Sequence, residues 1–315
     1  MTPVAVFAYN RPVHLGQLLE SLSRCGRQDE CAVTIYCDGP KNEGVAVAVA
    51  ETRRVARAWA DAHNAEVVER DRNLGLARSI ITGVSNLCER YGRVIVVEDD
   101  FVLAPDFLDY MLQALDRYAD AENVYQVSGY MFHVEHPERP DCLFLPLTTT
   151  WGWGTWQRAW RVFDWNMTGA VERLADPRVR HRFNLGGVYP YHSMVEWGAS
   201  GKVDSWGIRW WWSVFNAEGL VLFPRRSLVW VGGFDDSGTH CKDEVPDHFR
   251  QDPVEAFAVP RIGGSLIWPD RVEADMAAFG RVVRLLKAGG LMDSLIVRVW
   301  KRLRAVFKVS GTVWG

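Results

Sequence analysis

The sequence predicts an α/β fold in which a mostly parallel, twisted sheet is flanked by helices. Short apolar segments alternate with helical patterns through the first hundred residues, which is typical of parallel strands joined by right-handed crossovers. Residues 94–97 are four consecutive β-branched residues, and such a run favours a strand that is covered on both faces. Each predicted strand ends in a polar turn, so we expect these turns to share one edge of the sheet.

The predicted elements follow one another in a regular order. Residues 4–9 form the first strand, and Asn10 is placed to cap a helix whose leucines recur at helical spacing. Further strands are predicted at 32–36, 66–69 and 94–97, and further helices at 45–64 and 76–91. The turn at Gly39 and Pro40 and the loop at 70–75 separate these elements.

Three acids, Glu98, Asp99 and Asp100, follow the buried strand directly. Ligands of open α/β sheets bind beyond the carboxyl ends of the strands, so the acids lie where a site is expected. On a strand, successive side chains point to opposite faces, so we expect Glu98 and Asp100 on one side and Asp99 on the other. Carboxylates suit Mn²⁺ or Mg²⁺, which need few protein ligands when a phosphorylated ligand is present. The alternative is a solvated acidic turn that opens the next helix.

Polar residues at the other strand ends are candidates for binding the same ligand. Tyr9 ends the first strand and Arg11 follows it, beside a predicted helix N-terminus, where anions are favoured. Candidates after the second and third strands are Asp38, Asp71, Asn73 and Arg78. The last three either bind a nucleotide or brace the following helix, and we favour binding. The turns contain no G-x-G-x-x-G or Walker pattern, which argues against a dinucleotide or P-loop site.

Composition narrows the functional class. The chain has 315 residues, 48% of them hydrophobic, and a net charge of -3, so neither disorder nor a generally basic nucleic-acid surface is indicated. Six scattered cysteines without a C-x-x-C pair predict reduced thiols rather than a zinc site or a disulfide scaffold. The sequence has no basic leader and no run of about 18 apolar residues, so we expect a cytoplasmic location.

Tryptophan is concentrated in one part of the chain. Eleven of the 15 tryptophans lie between Trp151 and Trp230, which indicates a separate aromatic lobe. Trp151, Trp153 and Trp206 flank predicted turns, and they are our candidates for contacting a sugar. The alternative is that these rings pack in the core, since tryptophan is a large core residue.

The segment 96–110 closely resembles the metal-binding segment of the GT-A glycosyltransferases, in particular the N-acetylglucosaminyltransferases that initiate complex branches on glycoprotein glycans. Residues 7–11 resemble that family's first strand with its arginine at the nucleotide, and Asp38 resembles the carboxylate that reads the uracil ring. The 70–78 pattern and the tryptophan-rich segment are also similar to bacterial sugar transferases of the broad family-two type.

Three later segments extend this resemblance. Residues 151–156 resemble the acceptor side, 203–206 resemble the motif with the catalytic base, and 238–240 resemble the loop that closes over the diphosphate. The resemblance implies that Asp100 binds the metal, that Asp99 and Glu98 contact or orient the donor, and that Asp204 is the base. It also implies that Thr239 contacts the donor phosphates and that His240 reaches the metal or a phosphate.

Two departures limit the resemblance. Ser205 follows Asp204 where the animal enzymes have a second acid, which leaves Asp204 as the one obvious base. The family's donor-binding histidine is missing near Ala77 and Arg78, so the identity of the donor sugar is not carried over.

The predicted function is an inverting, metal-dependent glycosyl transfer from a nucleotide sugar, expected to be a UDP-sugar. The acceptor is a glycan, glycolipid or glycoprotein hydroxyl, and the setting is bacterial surface polysaccharide or glycoconjugate synthesis. Two alternatives stay open, a nucleotidyltransferase and a non-catalytic carbohydrate-binding protein on the same scaffold. The first strand lacks the Gly-rich turn with lysine that a nucleotidyltransferase would need.

We predict one catalytic domain over 1–270 and a basic amphipathic helical tail over 271–315. Residues 1–130 form its donor half and residues 131–270 its acceptor half. Between Arg281 and Lys308 there are eight basic residues against one acid, and apolar residues recur at helical spacing among them. This pattern fits a helix on an anionic membrane surface or a helix whose apolar face packs on the domain.

Overall fold

The computed structural model describes residues 1–135, 140–232 and 266–288, which form a central sheet with helices on both faces. The first half of the chain contains β1 (Thr2–Ala8), α1 (Pro12–Ser23), β2 (Cys31–Cys37), α2 (Ala46–His63), β3 (Glu66–Glu69), α3 (Leu76–Tyr91), β4 (Arg93–Glu98), β5 (Phe101–Leu103), α4 (Phe107–Arg117) and β6 (Val124–Ser128). The second half contains β7 (Cys142–Leu145), β8 (Trp153–Trp156), α5 (Gln157–Trp160), α6 (Ala170–Leu174), α7 (Pro177–Phe183), α8 (Tyr191–Ala199), α9 (Trp206–Asn216), β9 (Leu220–Pro224), β10 (Val229–Val231) and α10 (Met276–Ala288).

The main sheet has eight strands in the order β3-β2-β1-β4-β8-β6-β9-β7. Strands β3, β2, β1 and β4 are parallel, as are β6 and β9. Strand β8 runs antiparallel to both of its neighbours, β4 and β6, and β7 runs antiparallel to β9. Strands β5 and β10 form a separate antiparallel pair. The predicted α/β fold with a mostly parallel sheet is therefore confirmed.

The parallel strands are apolar because helices cover both of their faces. All seven residues of β1 are buried. One core joins the leucines of α1, among them Leu15 and Leu22, to residues of α4 such as Phe107. On the other face, Ile80 and Val84 of α3 pack with aromatic residues of β1 and β2. Burial on both sides explains the continuous apolar runs of these strands.

Strand β8 fits into the centre of the sheet because of Gly154. This residue pairs with Ile95 of β4 on one side and with Val127 of β6 on the other. A Cβ atom at position 154 would lie 2.9 Å from the Met111 side chain and 3.1 Å from the Val94 carbonyl oxygen. The glycine therefore allows the strand that enters from the aromatic lobe to lie beside the parallel half.

The helices α6 to α9 form the aromatic lobe, around a second core that includes Phe183, Trp211 and Trp212. Helix α10 adds Ala278, Val282 and Leu286 to this core. Packing on the domain thus accounts for the first part of the predicted tail, and residues 289–315 lie outside the described residues. No helix within the described ranges is long and apolar enough to cross a membrane.

The structure corrects one predicted cap and is consistent with the predicted thiols. Arg11, not Asn10, is the N-cap residue of α1, and its side chain makes no capping hydrogen bond. Pro12 follows as the first helical residue, where its missing N–H costs nothing. The five cysteines in the described part of the chain are free and buried, and burial raises the pKa of the Cys37 thiol to about 12.

Candidate functional site

The three acids form a turn at the carboxyl end of β4, and we call Glu98, Asp99 and Asp100 the acid turn. The backbone N–H of Asp99 donates to the Phe7 carbonyl oxygen across 3.0 Å, which holds the turn against β1. The backbone N–H of Tyr9 donates to Oδ2 of Asp99 across 3.2 Å. The predicted meeting of these two strand ends is therefore present in the structure.

Arg11 faces the acid turn from the start of α1. Its Nη1 atom lies 3.0 Å from Oδ2 of Asp100 and 4.0 Å from Oδ1 of Asp99. The predicted alternation of the acids is wrong, because β4 ends at Glu98 and the next two residues form a turn. The turn brings Asp99 and Asp100 to one guanidinium instead of placing them on opposite sides.

The acid turn has three carboxyl groups and one neighbouring guanidinium, that of Arg11. Burial, followed by the neighbouring charges of Asp100 and Asp99, raises the pKa of Glu98 well above its ordinary value, and Arg11 opposes the rise. Burial and the charge of Asp100 raise the pKa of Asp99 to about 7, although Arg11 and the Tyr9 N–H act against this. The turn would therefore be stabilised by an added cation.

This excess of carboxyl groups over cations fits the predicted divalent metal, which would favour their ionised forms. In the described ranges, no group of three or more His, Cys, Asp or Glu side chains is arranged to hold a metal ion. Mg²⁺ ions in phosphate sites are usually held by one or two carboxylates together with substrate phosphates and water. Asp100, whose side chain is 21% exposed, is suited to be such a carboxylate, and the remaining ligands would come from the donor.

Asp38 is buried at the end of β2 and binds the loop between β3 and α3. Its Oδ1 atom accepts from the Gly39 and Leu74 amides at 2.9 Å each. Its Oδ2 atom accepts from Leu74 at 3.2 Å and from the Gly75 amide at 3.0 Å. A carboxylate has about four lone-pair positions, so these contacts occupy the carboxylate that the resemblance assigns to uracil.

The rest of the β3–α3 loop is braced by the chain around it. Asn73 donates from Nδ2 to the Gly39 carbonyl oxygen across 2.9 Å, and Asp71 is exposed. A Cβ atom on Gly39 would lie 2.4 Å from the backbone of Arg72, so only glycine allows this close approach. The bracing alternative thus accounts for the observed contact of Asn73, and a binding role for Asp71 stays a prediction.

Arg78 points towards the aromatic lobe. Its guanidinium carbon lies 5.8 Å from the centre of the Trp165 ring, and the guanidinium carbon of Arg209 lies 4.4 Å from the same centre. Sequence reasoning did not identify Trp165 or Arg209. The one available signal was that Arg209 lies about one helical turn beyond Asp204, close enough in the chain for an ion pair.

Asp204 lies just before α9 and is paired with an arginine of that helix. Its side chain is 58% exposed, and its Oδ1 atom lies 2.9 Å from Nη1 of Arg209, whose own side chain is 8% exposed. Ser205 caps α9 by accepting from the Ile208 amide. The predicted base is therefore an exposed carboxylate held by a buried cation.

The predicted sugar-binding tryptophans are mostly buried. Trp153 has no exposed surface, and Trp206 is 5% exposed. Their rings stack on each other with centres 5.2 Å apart. Packing, the alternative raised for these residues, accounts for both of them, because a sugar could not reach either ring as it stands. Trp151 is half-buried and packs edge-to-face against Tyr130 at 4.6 Å.

Two predicted site residues, Thr239 and His240, lie outside the described residues. A separate cavity of about 330 Å³ opens at the opposite edge of the sheet, beside Thr2 and Arg93. Its arginines are paired with acids, Arg93 with Asp116 and Arg27 with Glu30. This cavity is thus distinct from the acid turn and offers no comparable excess of charge.

Comparison with known structures gives weak likenesses of the fold. TarS residues 1–349 from S. aureus matches with a TM-score of 0.44 and 11% identity over 75% of this chain and 62% of that one. A cytidylyltransferase from Leptospira borgpetersenii matches with a TM-score of 0.33 and 13% identity over 52% and 64%. Glucosyl-3-phosphoglycerate synthase from Mycobacterium tuberculosis, in complex with Mn²⁺, UDP and glucosyl-3-phosphoglycerate, matches with a TM-score of 0.32 and 11% identity. This match covers 51% of this chain and 58% of that one. The chain spans less than two thirds of each structure.

A family model also matches the chain. Residues 4–175 match the model described as glycosyl transferase family 2, which is more than half of the 315 residues. The matched segment runs from β1 through Asp38 and the acid turn to α6, and Asp204 lies beyond it. The particular resemblance to N-acetylglucosaminyltransferases stays a prediction. The chain therefore belongs to glycosyl transferase family 2, and its α/β fold is of the GT-A type.

Proposed function

We propose that the protein transfers a sugar from a nucleotide-sugar donor to an acceptor hydroxyl, with inversion and with a divalent cation at Asp100. The observation that carries the proposal is the acid turn at the carboxyl edge of the parallel strands, where Arg11 lies 3.0 Å from Asp100. Breaking the anomeric C–O bond leaves a diphosphate, whose growing negative charge requires cationic groups nearby. The cation, Mn²⁺ or Mg²⁺, would act as a Lewis acid on that leaving group.

The donor side of the proposed site is formed by the strand ends around Arg11. The backbone N–H of Lys41 donates to the Tyr9 hydroxyl across 3.2 Å, so Tyr9 joins the first two strand ends. Asp99 has a pKa raised by burial to about 7, and hydrogen-bond donors of a ribose or sugar would stabilise its charged form. These features support a nucleotide sugar, with a UDP-sugar as the proposed donor.

Asp204 is the proposed base that takes the proton from the acceptor hydroxyl. An exposed carboxylate held in one orientation is suited to this role. A single displacement with one base inverts the anomeric configuration. We propose that the acceptor is a glycan, glycolipid or glycoprotein that approaches over the aromatic lobe, past Trp151 and Trp165.

The division of the chain into a catalytic domain and a C-terminal tail is also a proposal. A single catalytic domain would cover residues 1–270, with the donor half at 1–130. The packing of α10 on the second core favours a tail that begins on the domain surface. Association of the remaining tail with an anionic membrane, as a peripheral protein on the cytoplasmic side, is a proposal from the sequence alone.

The proposal is tested by measuring thermal stability with nucleoside diphosphates and nucleotide sugars, with and without Mn²⁺. A ligand that binds only the native state raises the apparent stability. We expect Mn²⁺-dependent stabilisation by one nucleotide, and loss of that stabilisation in Asp100→Ala. Glu51→Ala is the control, since it removes an acid that pairs with Arg54 on the exposed surface of α2.

Thermal stability, glycan binding and the anomeric configuration of the product together separate the alternatives. No response to any nucleotide at saturating concentration, together with retained glycan binding, would favour the carbohydrate-binding protein. Stabilisation by nucleoside triphosphates in place of nucleotide sugars would favour the nucleotidyltransferase. Turnover of the nucleotide sugar with retained anomeric configuration would contradict the single-base mechanism.

A further inference from the structure

Arg11 pairs with the acid turn in the structure. Its Nη1 atom hydrogen-bonds to Oδ2 of Asp100 across 3.0 Å, and its side chain is only 13% exposed. The same nitrogen lies 4.0 Å from Oδ1 of Asp99. The guanidinium therefore supplies the positive charge that faces the acid turn.

The backbone around Arg11 offers the guanidinium a second partner. Arg11 is the N-cap residue of α1, a helix of 12 residues, and its own side chain makes no capping hydrogen bond. A helix N-terminus favours an anion such as phosphate. Arginine also binds phosphate oxygens well, often through two parallel hydrogen bonds. A diphosphate bound beside the acid turn would thus compete with Asp100 for the same guanidinium.

We propose that Arg11 and the divalent cation are alternative partners of Asp100, and that Arg11 moves to the donor diphosphate when the cation binds. The inference rests on the proposed function and adds a mechanism for its metal dependence. A dication at Asp100 and a guanidinium 3.0 Å from the same carboxylate would repel each other strongly at this separation. The arginine side chain has more rotatable bonds than the aspartate side chain, so it is the partner that turns away.

The exchange couples the binding of metal and nucleotide. If the metal binds alone, it displaces Arg11 from Asp100 and the guanidinium gains no new partner. If the nucleotide binds alone, it draws Arg11 away from Asp100 and leaves the acid turn without a cation. When both bind, the displaced guanidinium gains the diphosphate as its partner. Metal and nucleotide therefore each raise the affinity for the other, and linkage requires the two factors to be equal.

The test is a calorimetric titration of the full chain and two Arg11 variants with Mn²⁺ and with UDP. Arg11→Met keeps most of the side-chain stem and removes the charge, while Arg11→Lys keeps the charge. Arg24→Met is the control, because it makes the same change at the other end of α1, where Arg24 pairs with Glu20 on the surface.

For Mn²⁺ alone, we expect Arg11→Met to bind about fivefold more tightly than the wild type, a change of the size that a partly exposed ion pair gives. Arg11→Lys and Arg24→Met should stay within about twofold of the wild type. For UDP, we expect Mn²⁺ to increase the affinity of the wild type and to have a much smaller effect in Arg11→Met.

The opposite results would overturn the exchange. Unchanged or weaker Mn²⁺ binding in Arg11→Met, or an undiminished effect of Mn²⁺ on UDP affinity, would show that Arg11 does not compete for Asp100. The titration with Mn²⁺ alone decides this point without any nucleotide. Failure of the wild type to bind any nucleotide with Mn²⁺ would instead count against the proposed function.

Discussion

Arg209 donates a hydrogen bond from Nη1 to Oδ1 of Asp204 across 2.9 Å, and the same nitrogen donates to the Ser205 carbonyl oxygen across 2.9 Å. A third bond joins Nε of Arg209 to the carbonyl oxygen of Trp165, also across 2.9 Å. The guanidinium is thus fixed at three points beneath the Trp165 ring. It holds the exposed carboxylate of Asp204 in one direction at the start of α9.

Replacing Asp204 with asparagine should remove the proposed base while keeping this geometry, since an amide oxygen can still accept from Arg209. We expect the turnover number to fall by about 10²–10⁴-fold, the usual contribution of general base catalysis. The affinity for the donor nucleotide should not change. Measuring release of the nucleoside diphosphate gives the rate, and Glu172→Gln is an exposed control in the same lobe. An unchanged rate would exclude Asp204 as the base.

Variants of Arg209 distinguish its role in orienting the Asp204 carboxylate from the effect of its positive charge. Lysine keeps the positive charge but lacks the planar fork that reaches Asp204, Ser205 and Trp165 together. We therefore expect Arg209→Lys to lower the turnover number more than it alters the Michaelis constant for the donor. Arg209→Gln should lower turnover further and also reduce the melting temperature, because two backbone carbonyls lose their donor. Equal effects of both variants on stability alone would assign Arg209 a structural role only.

Local sequence pattern is sufficient to predict some elements of the fold. Strand β3 and helix α3 were predicted with the bounds that the structure gives, because apolar periodicity and turn residues act locally. The antiparallel insertion of β8 between β4 and β6 depends on residues about 60 and 30 positions away, as counted along the printed chain. No local pattern around Gly154 indicates that arrangement.

The candidate site shows the same division. The sequence predicted that the polar strand ends share one edge of the sheet, and the Tyr9 amide does donate to Asp99 there. It did not predict that a turn would bring Asp99 and Asp100 to one guanidinium, because strand alternation holds only while the strand continues. It also missed the pairing of Asp204 with Arg209, since conformation at the start of α9 decides which side chains meet.

Asp38 is expected to stabilise the β3–α3 loop as well as any nucleotide bound beside it. In Asp38→Asn, the amide nitrogen would face a backbone N–H, so part of the contact with Leu74 and Gly75 would be lost. Leaving buried amides unsatisfied costs about 1–3 kcal/mol, which urea unfolding would detect. Titration with UDP, CDP and GDP should show a similar loss for all three. A loss confined to UDP, with unchanged stability, would indicate that Asp38 reads uracil.

Trp153 is expected to act through the core rather than through a sugar. It is fully buried, and its ring lies 5.2 Å from Trp206 and 6.1 Å from Trp210. Replacing a buried tryptophan with alanine typically costs about 3–5 kcal/mol. Trp153→Phe should therefore lower the unfolding free energy by a smaller amount and leave the Michaelis constant for acceptor nearly unchanged. Trp151→Phe is the matched comparison, and an acceptor effect at position 153 alone would contradict the packing role.

The raised pKa of Asp99 predicts a measurable effect of pH on stability. Its pKa is about 7 in the folded protein against an ordinary value of 3.8, so between these values the folded state binds more protons than the unfolded state. The free energy of unfolding contributed by this group therefore falls as pH rises from about 4 to 7. Asp99→Asn removes the titration and retains an oxygen that accepts from the Tyr9 amide.

We expect Asp99→Asn to be more stable than the wild type at pH 8, by about 1–3 kcal/mol, and the difference to shrink as the pH is lowered to 5. Chemical unfolding at several pH values, in a buffer without divalent ions, measures this difference. Asp109→Asn on α4 is a control acid that pairs with Arg27 across 3.2 Å. A stability difference for Asp99→Asn that does not vary with pH would show that the Asp99 carboxylate is ionised throughout this range. In that case, Arg11 and the Tyr9 amide would outweigh burial in setting the charge of the acid turn.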